Sequence, residues 1–323
     1  MGKTLDRLTL LETFIRIAER GSISAAASDL GLSQPSASRQ LAELETRFGL
    51  QLIRRTTHSM ALTAAGQALL RDAREIVSAW NSIEERHGLA GGLVKGPLRV
   101  VAPVALGQLY LADTALRFQS DNPLVSLDWQ LEDDVIRVAE VGCDCWIKIG
   151  PIPDDTLIVR NLGSVERLVV ASPNCIGTRS LKTPSDVEKL PFIALGPFEG
   201  GRIGLSNAIG KKVELKPKVA VTTNNIFSVH RALLMDTGAA VMPRWFVEED
   251  LEAGRLVDVL PKWRAAQLKI NAAFLPVRHQ PKRLEAFLET ISREVPKIPG
   301  VISAKNECAS SDFIRYSLSL TDP

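Results

Sequence analysis

Residues 33–40 read Ser-Gln-Pro-Ser-Ala-Ser-Arg-Gln, a run of short hydroxyls, amides and one guanidinium. Such groups can read duplex DNA. Glutamine pairs bidentately with adenine, arginine pairs with guanine N7 and O6, and serines reach phosphates. Ser33 is placed to cap a helix that carries Pro35 in its first turn, where a missing N–H costs nothing. Ala37, Leu41, Leu44 and Phe48 recur at four, three and four residues and mark its core face. Gln34, Ser36, Ser38, Arg39 and Gln40 lie off that stripe, mostly near the end from which a recognition helix presents base-reading groups. Residues 52–63 then form two short β-prone halves around polar residues. This reads as a hairpin wing, with Arg54, Arg55 and His58 available to phosphates or the minor groove. A plain three-helix bundle, solvated by the same polar side chains, fits the pattern too.

The elements that would position these groups are helical. Residues 1–90 contain one proline, Pro35. Leu8, Leu11, Phe14, Ile15 and Ala18 give a first helix one buried face, and Gly21 ends it. Ser22 can cap a second helix whose Ala25, Ala26, Ala27 and Ser28 let two helices cross closely, before a turn at Gly31-Leu32. After Thr63, Leu69, Ala73, Ile76, Trp80 and Ile83 recur at four-three spacing. That heptad seam predicts a projecting helix that dimerises, the alternative being a helix lying on its own domain. Gly91-Gly92 and Gly96-Pro97 break the pattern, and short apolar strands then alternate with helices, an α/β layout. The expected organisation is a helix-turn-helix head over 1–66, a linker helix over 67–92, an α/β region over 93–297 and a loosely ordered tail over 298–323.

Composition sets the outer limits. Across 323 residues, 45% are hydrophobic and 24% charged, which excludes a mainly disordered chain. No apolar run reaches the roughly 18–20 residues of a membrane span. The charged residues Lys3, Asp6, Arg7 and Glu12 leave no room for a secretory leader, so a cytoplasmic location is expected. A net charge of +2 means that any DNA-binding surface must be local. The four histidines are scattered, and no metal pair, phosphate loop, dinucleotide fingerprint or nucleophile elbow is present. Neither enzyme activity nor a metal or cofactor is expected. Cys143 and Cys145 are expected on one face of a strand entry, packed rather than redox-active.

The pieces Ser24-Ala25-Ala26-Ala27, residues 30–36, Ser38-Arg39-Gln40-Leu41, Leu44-Glu45 and Leu62-Thr63-Ala64-Ala65-Gly66 resemble the winged helix-turn-helix of LysR-type transcriptional regulators. The resemblance implies that Gln34, Pro35, Ser38 and Arg39 sit at double-stranded DNA and that Arg55 contacts its backbone. Ile53 stands where phenylalanine is usual, and His58 where a second wing arginine is common. The resemblance also implies homodimers that pair into tetramers, and RNA polymerase as a partner.

Residues 96–297 resemble the effector-binding domain of the same family, a periplasmic-binding-protein-like fold of two lobes. Expected strands are 98–102, 125–131, 145–150, 167–171, 219–223, 238–243 and 268–275. Expected helices are 106–119, 226–235 and 283–293. A small-molecule effector would bind between the lobes. Its candidate contacts are Pro103, Val104, Ala105, Lys148, Ile149, Gly150, Gly196, Pro197, Arg202, Thr222, Thr223, Asn224 and Pro243. Val104 replaces a hydroxyl residue common in the family, leaving backbone N–H groups for that role. Lys148 and Arg202 point to an anionic ligand, or to surface salt bridges. The rival readings are an architectural DNA binder, and a solute-binding protein without regulation.

Overall fold

The computed structural model describes residues 6–55, 60–86, 93–196, 201–277 and 280–304. Three helices build the head: α1 (Arg7–Arg20), α2 (Ile23–Asp29) and α3 (Gln34–Phe48). Ser22 accepts a hydrogen bond from the Ala25 N–H and Ser33 from the Ser36 N–H, both at 3.3 Å, so α2 and α3 each start on a serine cap. Leu10, Phe14, Ile17, Ala26, Ala37, Leu41 and Leu44 form the core. The centre of α1 is thus shifted from the expected stripe, with Leu8, Ile15 and Ala18 only partly buried. The cause is that α1 packs against α2, α3 and also α4 (Ala64–Arg86), so the covered arc is wider than one stripe.

On α3 two expectations fail. Phe48 is 51% exposed, because it is the last helical residue before the left-handed Gly49 turns the chain away. Gln40 takes the inward position instead. Its buried amide oxygen accepts a hydrogen bond from the Thr13 hydroxyl at 2.5 Å.

The wing is an antiparallel pair, β1 (Ile53–Arg55) and β2 (Met60–Leu62), with Ile53 opposite Leu62. Helix α3 fixes its start. The Glu45 carboxylate accepts from the backbone N–H of Leu52 at 2.8 Å and of Ile53 at 3.2 Å. Thr63 fixes its end, since its hydroxyl donates to the Gln51 carbonyl at 2.7 Å and accepts from the Gly66 N–H at 2.9 Å. Gly66 lies against the wing so closely that an added Cβ would stand 2.1 Å from the Leu52 carbonyl oxygen.

The expected dimer seam divides along α4. Ala73 is buried in the head core, and the half-buried Leu69 packs against that core. Ile76, Trp80 and Ile83 are 51%, 46% and 39% exposed and continue along the helix beyond the head.

Among the described residues, the α/β region is one twelve-stranded sheet folded into two lobes. In the first, β3 (Gly96–Ala102) lies parallel between β4 (Val125–Leu131) and β5 (Cys145–Ile149). The helix after β3 runs as α5 (Val104–Leu106), a π-helical turn at Gly107–Leu111, and α6 (Ala112–Asp121). α7 (Val138–Val141) precedes β5, and β6 (Ile158–Ala171) leaves for the second lobe. There α8 (Pro173–Ile176), α9 (Pro184–Val187), β7 (Pro191–Leu195), β8 (Ile203–Asn207), β9 (Lys212–Leu215) and β10 (Lys218–Thr223) follow in turn. That lobe closes with α10 (Ile226–Leu234), β11 (Ala239–Pro243), α11 (Arg244–Glu252) and β12 (Val257–Asp258).

β13 (Trp263–Phe274) returns to the first lobe, pairing with β8 at one end and β5 at the other. It runs antiparallel to β6 along the crossing. α12 (Lys282–Glu294) then packs on α6, with the rings of Phe118 and Phe287 edge-to-face at 5.3 Å. The tail expected to loosen from residue 298 holds on longer. Ile298 is buried, and β14 (Val301–Ser303) pairs with β6 at Gly163, Ser164 and Val165, a strand too short to show a period.

Head and first lobe touch through charge. Glu19 of α1 pairs with Arg74 of α4 at 3.3 Å and with Arg99 of β3 at 3.7 Å, and Arg99 pairs onward with Asp128 at 2.6 Å.

Cys143 and Cys145 do not share a face. Cys143 packs with Val101 and Trp146, while Cys145 packs with the main core, because β5 begins only at Cys145. Burial pushes the Cys143 thiol up to about 12. At pH 8 only about one molecule in ten thousand would then carry the thiolate. Peptide mapping after iodoacetamide treatment of the native protein at pH 8 should leave Cys143 unlabelled. Full labelling within minutes would contradict its burial.

Candidate functional site: recognition helix and interlobe cleft

On α3, Ser33, Gln34, Pro35 and Arg39 are exposed, while Ser36 and Ser38 are half-buried. Ser33 and Ser36 spend part of their capacity on each other, with hydroxyl oxygens 2.9 Å apart. Among the described residues, Gln34, Ser38 and Arg39 spend no side-chain hydrogen bond within the helix. The helix can present them because its opposite face is clamped by Ala37, Gln40, Leu41 and Leu44. Arg54 on β1 is exposed, Arg55 ends that strand, and His58 lies outside the described residues. Phosphate affinity needs cations, and the Glu45 bonds hold the strand that carries Arg54 and Arg55 beside α3.

The second site is a cavity of about 330 Å³ between the lobes. The first lobe supplies Pro103, Ala105, Glu132, Asp133 and residues 146–149, and the second supplies residues 192–196, Ile203, Asn224, Ile226, Val241, Pro243 and Trp245. The crossing strands add Arg167 and Leu268. Of the expected contacts, Pro103, Ala105, Lys148, Ile149, Gly196, Asn224 and Pro243 therefore line one space. Thr222 and Thr223 line an adjoining recess with Asp133 and Asp134. Pro197 lies outside the described residues.

Three expected contacts fall elsewhere. Gly150 is not in the lining; its N–H donates to the Lys269 carbonyl and its own carbonyl accepts from the Asn271 amide at 2.9 Å, which ties it to β13. Arg202 is exposed and paired with Glu214 at 2.9 Å across β8 and β9, so its charge is spent outside the cavity. Val104 presents no side chain to the cavity, and its N–H is already taken by the Asp133 carboxylate at 3.0 Å.

Sequence reasoning missed Arg167. It reads as the start of a strand, and only the pairing of β6 with β11 and β13 brings it to the cleft. Burial lowers the pKa of its guanidinium, and it donates from Nε to the Ala266 carbonyl at 2.7 Å. Burial also lowers the pKa of the Lys148 ammonium, against the opposing pull of Asp133 and Asp134. That ammonium sits 5.3 Å from the centre of the Trp146 ring, within cation–π range. Among the described residues no group of three or more His, Cys, Asp or Glu could hold a metal ion, and no helix is long and apolar enough to cross a membrane.

Comparison with known proteins places both halves. The bacterial regulatory helix-turn-helix family of LysR type matches residues 8–67, and the LysR substrate binding domain matches residues 91–296. The HTH-type transcriptional regulator PtxR of Pseudomonas aeruginosa is 27% identical over 93% of this chain and 98% of its own length. The HTH-type regulator YhjC of Escherichia coli is 28% identical over 89% of this chain and 97% of its own. In structure, a full-length OxyR variant from Pseudomonas aeruginosa superposes with a TM-score of 0.68 at 14% identity, covering 92% of this chain and 97% of that one. With both domain families matched in order along one chain, this protein belongs to the LysR-type transcriptional regulators, carrying a helix-turn-helix DNA-binding domain and an effector-binding domain.

Proposed function

We propose that α3 enters the major groove of an operator and reads bases through Gln34 and Arg39, with Pro35 and Ser38 against the duplex. Arg54, Arg55 and His58 of the wing follow the adjoining backbone. The observation that carries this reading is the exposure of Gln34 and Arg39 on a helix whose opposite face is fixed in the core. Ile76, Trp80 and Ile83 form the seam of a homodimer, which spaces two heads on successive half-sites. Such dimers pair further into tetramers in the cytoplasm, and RNA polymerase is the partner at the promoter. A small molecule held between the lobes biases the arrangement of the heads, to the extent that it binds one arrangement more tightly.

Arg39→Ala should cost about 1–3 kcal/mol of operator affinity, roughly five- to 150-fold, and relax sequence preference. Gel retardation on cognate and base-substituted duplexes reads both effects. Unchanged affinity would remove Arg39 from the interface.

A further inference from the structure

The cleft contains two cations and two carboxylates, and their partners sort them. Asp133 is engaged: its carboxylate accepts the Val104 N–H at 3.0 Å, the backbone donor left for a ligand when a hydroxyl residue is missing there. Asp133 and Asp134 favour the Lys148 charge without outweighing its burial, and its ammonium is occupied over the Trp146 ring at 5.3 Å. What remains is Arg167. Its guanidinium bonds only the carbonyl of Ala266, through Nε and a terminal nitrogen, and among the described residues no carboxylate forms an ion pair with it. A half-buried guanidinium offers five donors in a flat fork, and one carbonyl does not neutralise its charge. A desolvated charge without a counter-ion is costly, and a ligand carboxylate meeting the fork in two parallel bonds would remove that cost.

Apart from Glu132, Asp133, Lys148 and Asn224, the remaining walls are mostly hydrocarbon. Trp146, Ile149, Phe192, Ile193 and Leu268 surround the cavity, whose volume of about 330 Å³ is near the lower end for small-molecule sites. One guanidinium without a carboxylate partner among the described residues, in a small, largely hydrocarbon chamber, suits a single negative charge. A phosphate monoester or a dicarboxylate would bring a second charge facing Glu132 and Asp133.

Resting on the reading of this cavity as the effector site, we propose that the effector is a compact monocarboxylate with an apolar body, anchored on the Arg167 guanidinium. Its hydrocarbon part lies against Trp146, Phe192 and Leu268. Arg167 belongs to β6, one of the two strands that cross between lobes, so the anchor sits where a change of lobe angle is set.

The test uses the full-length protein in thermal-shift and calorimetric titrations. The probes are phenylacetate and 4-methylvalerate, their neutral amides, and the amine 2-phenylethylamine. The carboxylates should raise the melting temperature in proportion to the logarithm of their concentration, and the amides and amine should not. Arg167→Gln should weaken carboxylate binding about tenfold or more, and Arg167→Lys should recover part of it. Far-UV circular dichroism of both variants checks the fold. Equal binding of amides, preference for the amine, or undiminished carboxylate binding by R167Q would overturn the anchor while leaving an effector cleft in place. Silence from all three probe series would also overturn it. Operator retardation with and without a small-metabolite extract then judges the wider reading separately.

Discussion

Phe287→Ala should lower the stability of the sensor region by about 3–5 kcal/mol, the usual cost of removing a fully enclosed aromatic side chain. Phe287 is completely buried, and its ring meets Phe118 edge-to-face at 5.3 Å. It holds α12 against α6, so the residual cavity would open between two helices whose positions are fixed by the sheet beneath them. For a region of this size the melting temperature should fall by roughly 6–20 °C. Differential scanning calorimetry of the full-length protein reads the change. A fall below about 2 °C would mean that the site collapses around the smaller residue.

Gly66→Ala should act on the other half of the molecule. In an exposed helix this exchange stabilises by about 1 kcal/mol. Here the new methyl would stand 2.1 Å from the Leu52 carbonyl oxygen and 3.1 Å from the Leu62 side chain. That oxygen cannot easily move, because it accepts from the Thr63 N–H at 2.9 Å. Overpacking should therefore dominate, with a net loss of about 1–3 kcal/mol in the head and a displaced wing. Chemical denaturation followed by far-UV circular dichroism reads the stability, and gel retardation reads the wing. A more stable variant would show that helix propensity outweighs the clash.

Legibility in the sequence followed how local each signal was. The caps at Ser22 and Ser33 and the stripe Ala37, Leu41, Leu44 depend on neighbours within one helix, and the structure places them accordingly. Phe48 and Gln40 went the other way, since spacing marks a stripe but not which arc the packed helices cover. Leu69 and Ala73 satisfy a heptad equally well whether they face a second chain or their own head. In the cleft, residues from segments as distant as 103, 148, 196 and 243 were placed together by fold resemblance. Arg202 and Arg167 could not be told apart that way. Each is an arginine at or next to the start of an apolar run, and only the β8–β9 pairing gives the first its carboxylate partner, while the lobe crossing leaves the second with none among the described residues.

The crossing itself has a mechanical consequence. β6 and β13 are hydrogen-bonded along the passage between lobes, with register irregularities between Ala265 and Leu268 and between Ile270 and Asn271. A hydrogen-bonded passage constrains the lobes more than a single unpaired linker would, since its strands must twist together. β14 then lies on β6 at Gly163, where an added Cβ would stand 2.8 Å from the Ile302 carbonyl oxygen. A rotation of one lobe against the other would therefore have to twist β6, β13 and β14 together, because the passage is bonded on both edges of β6.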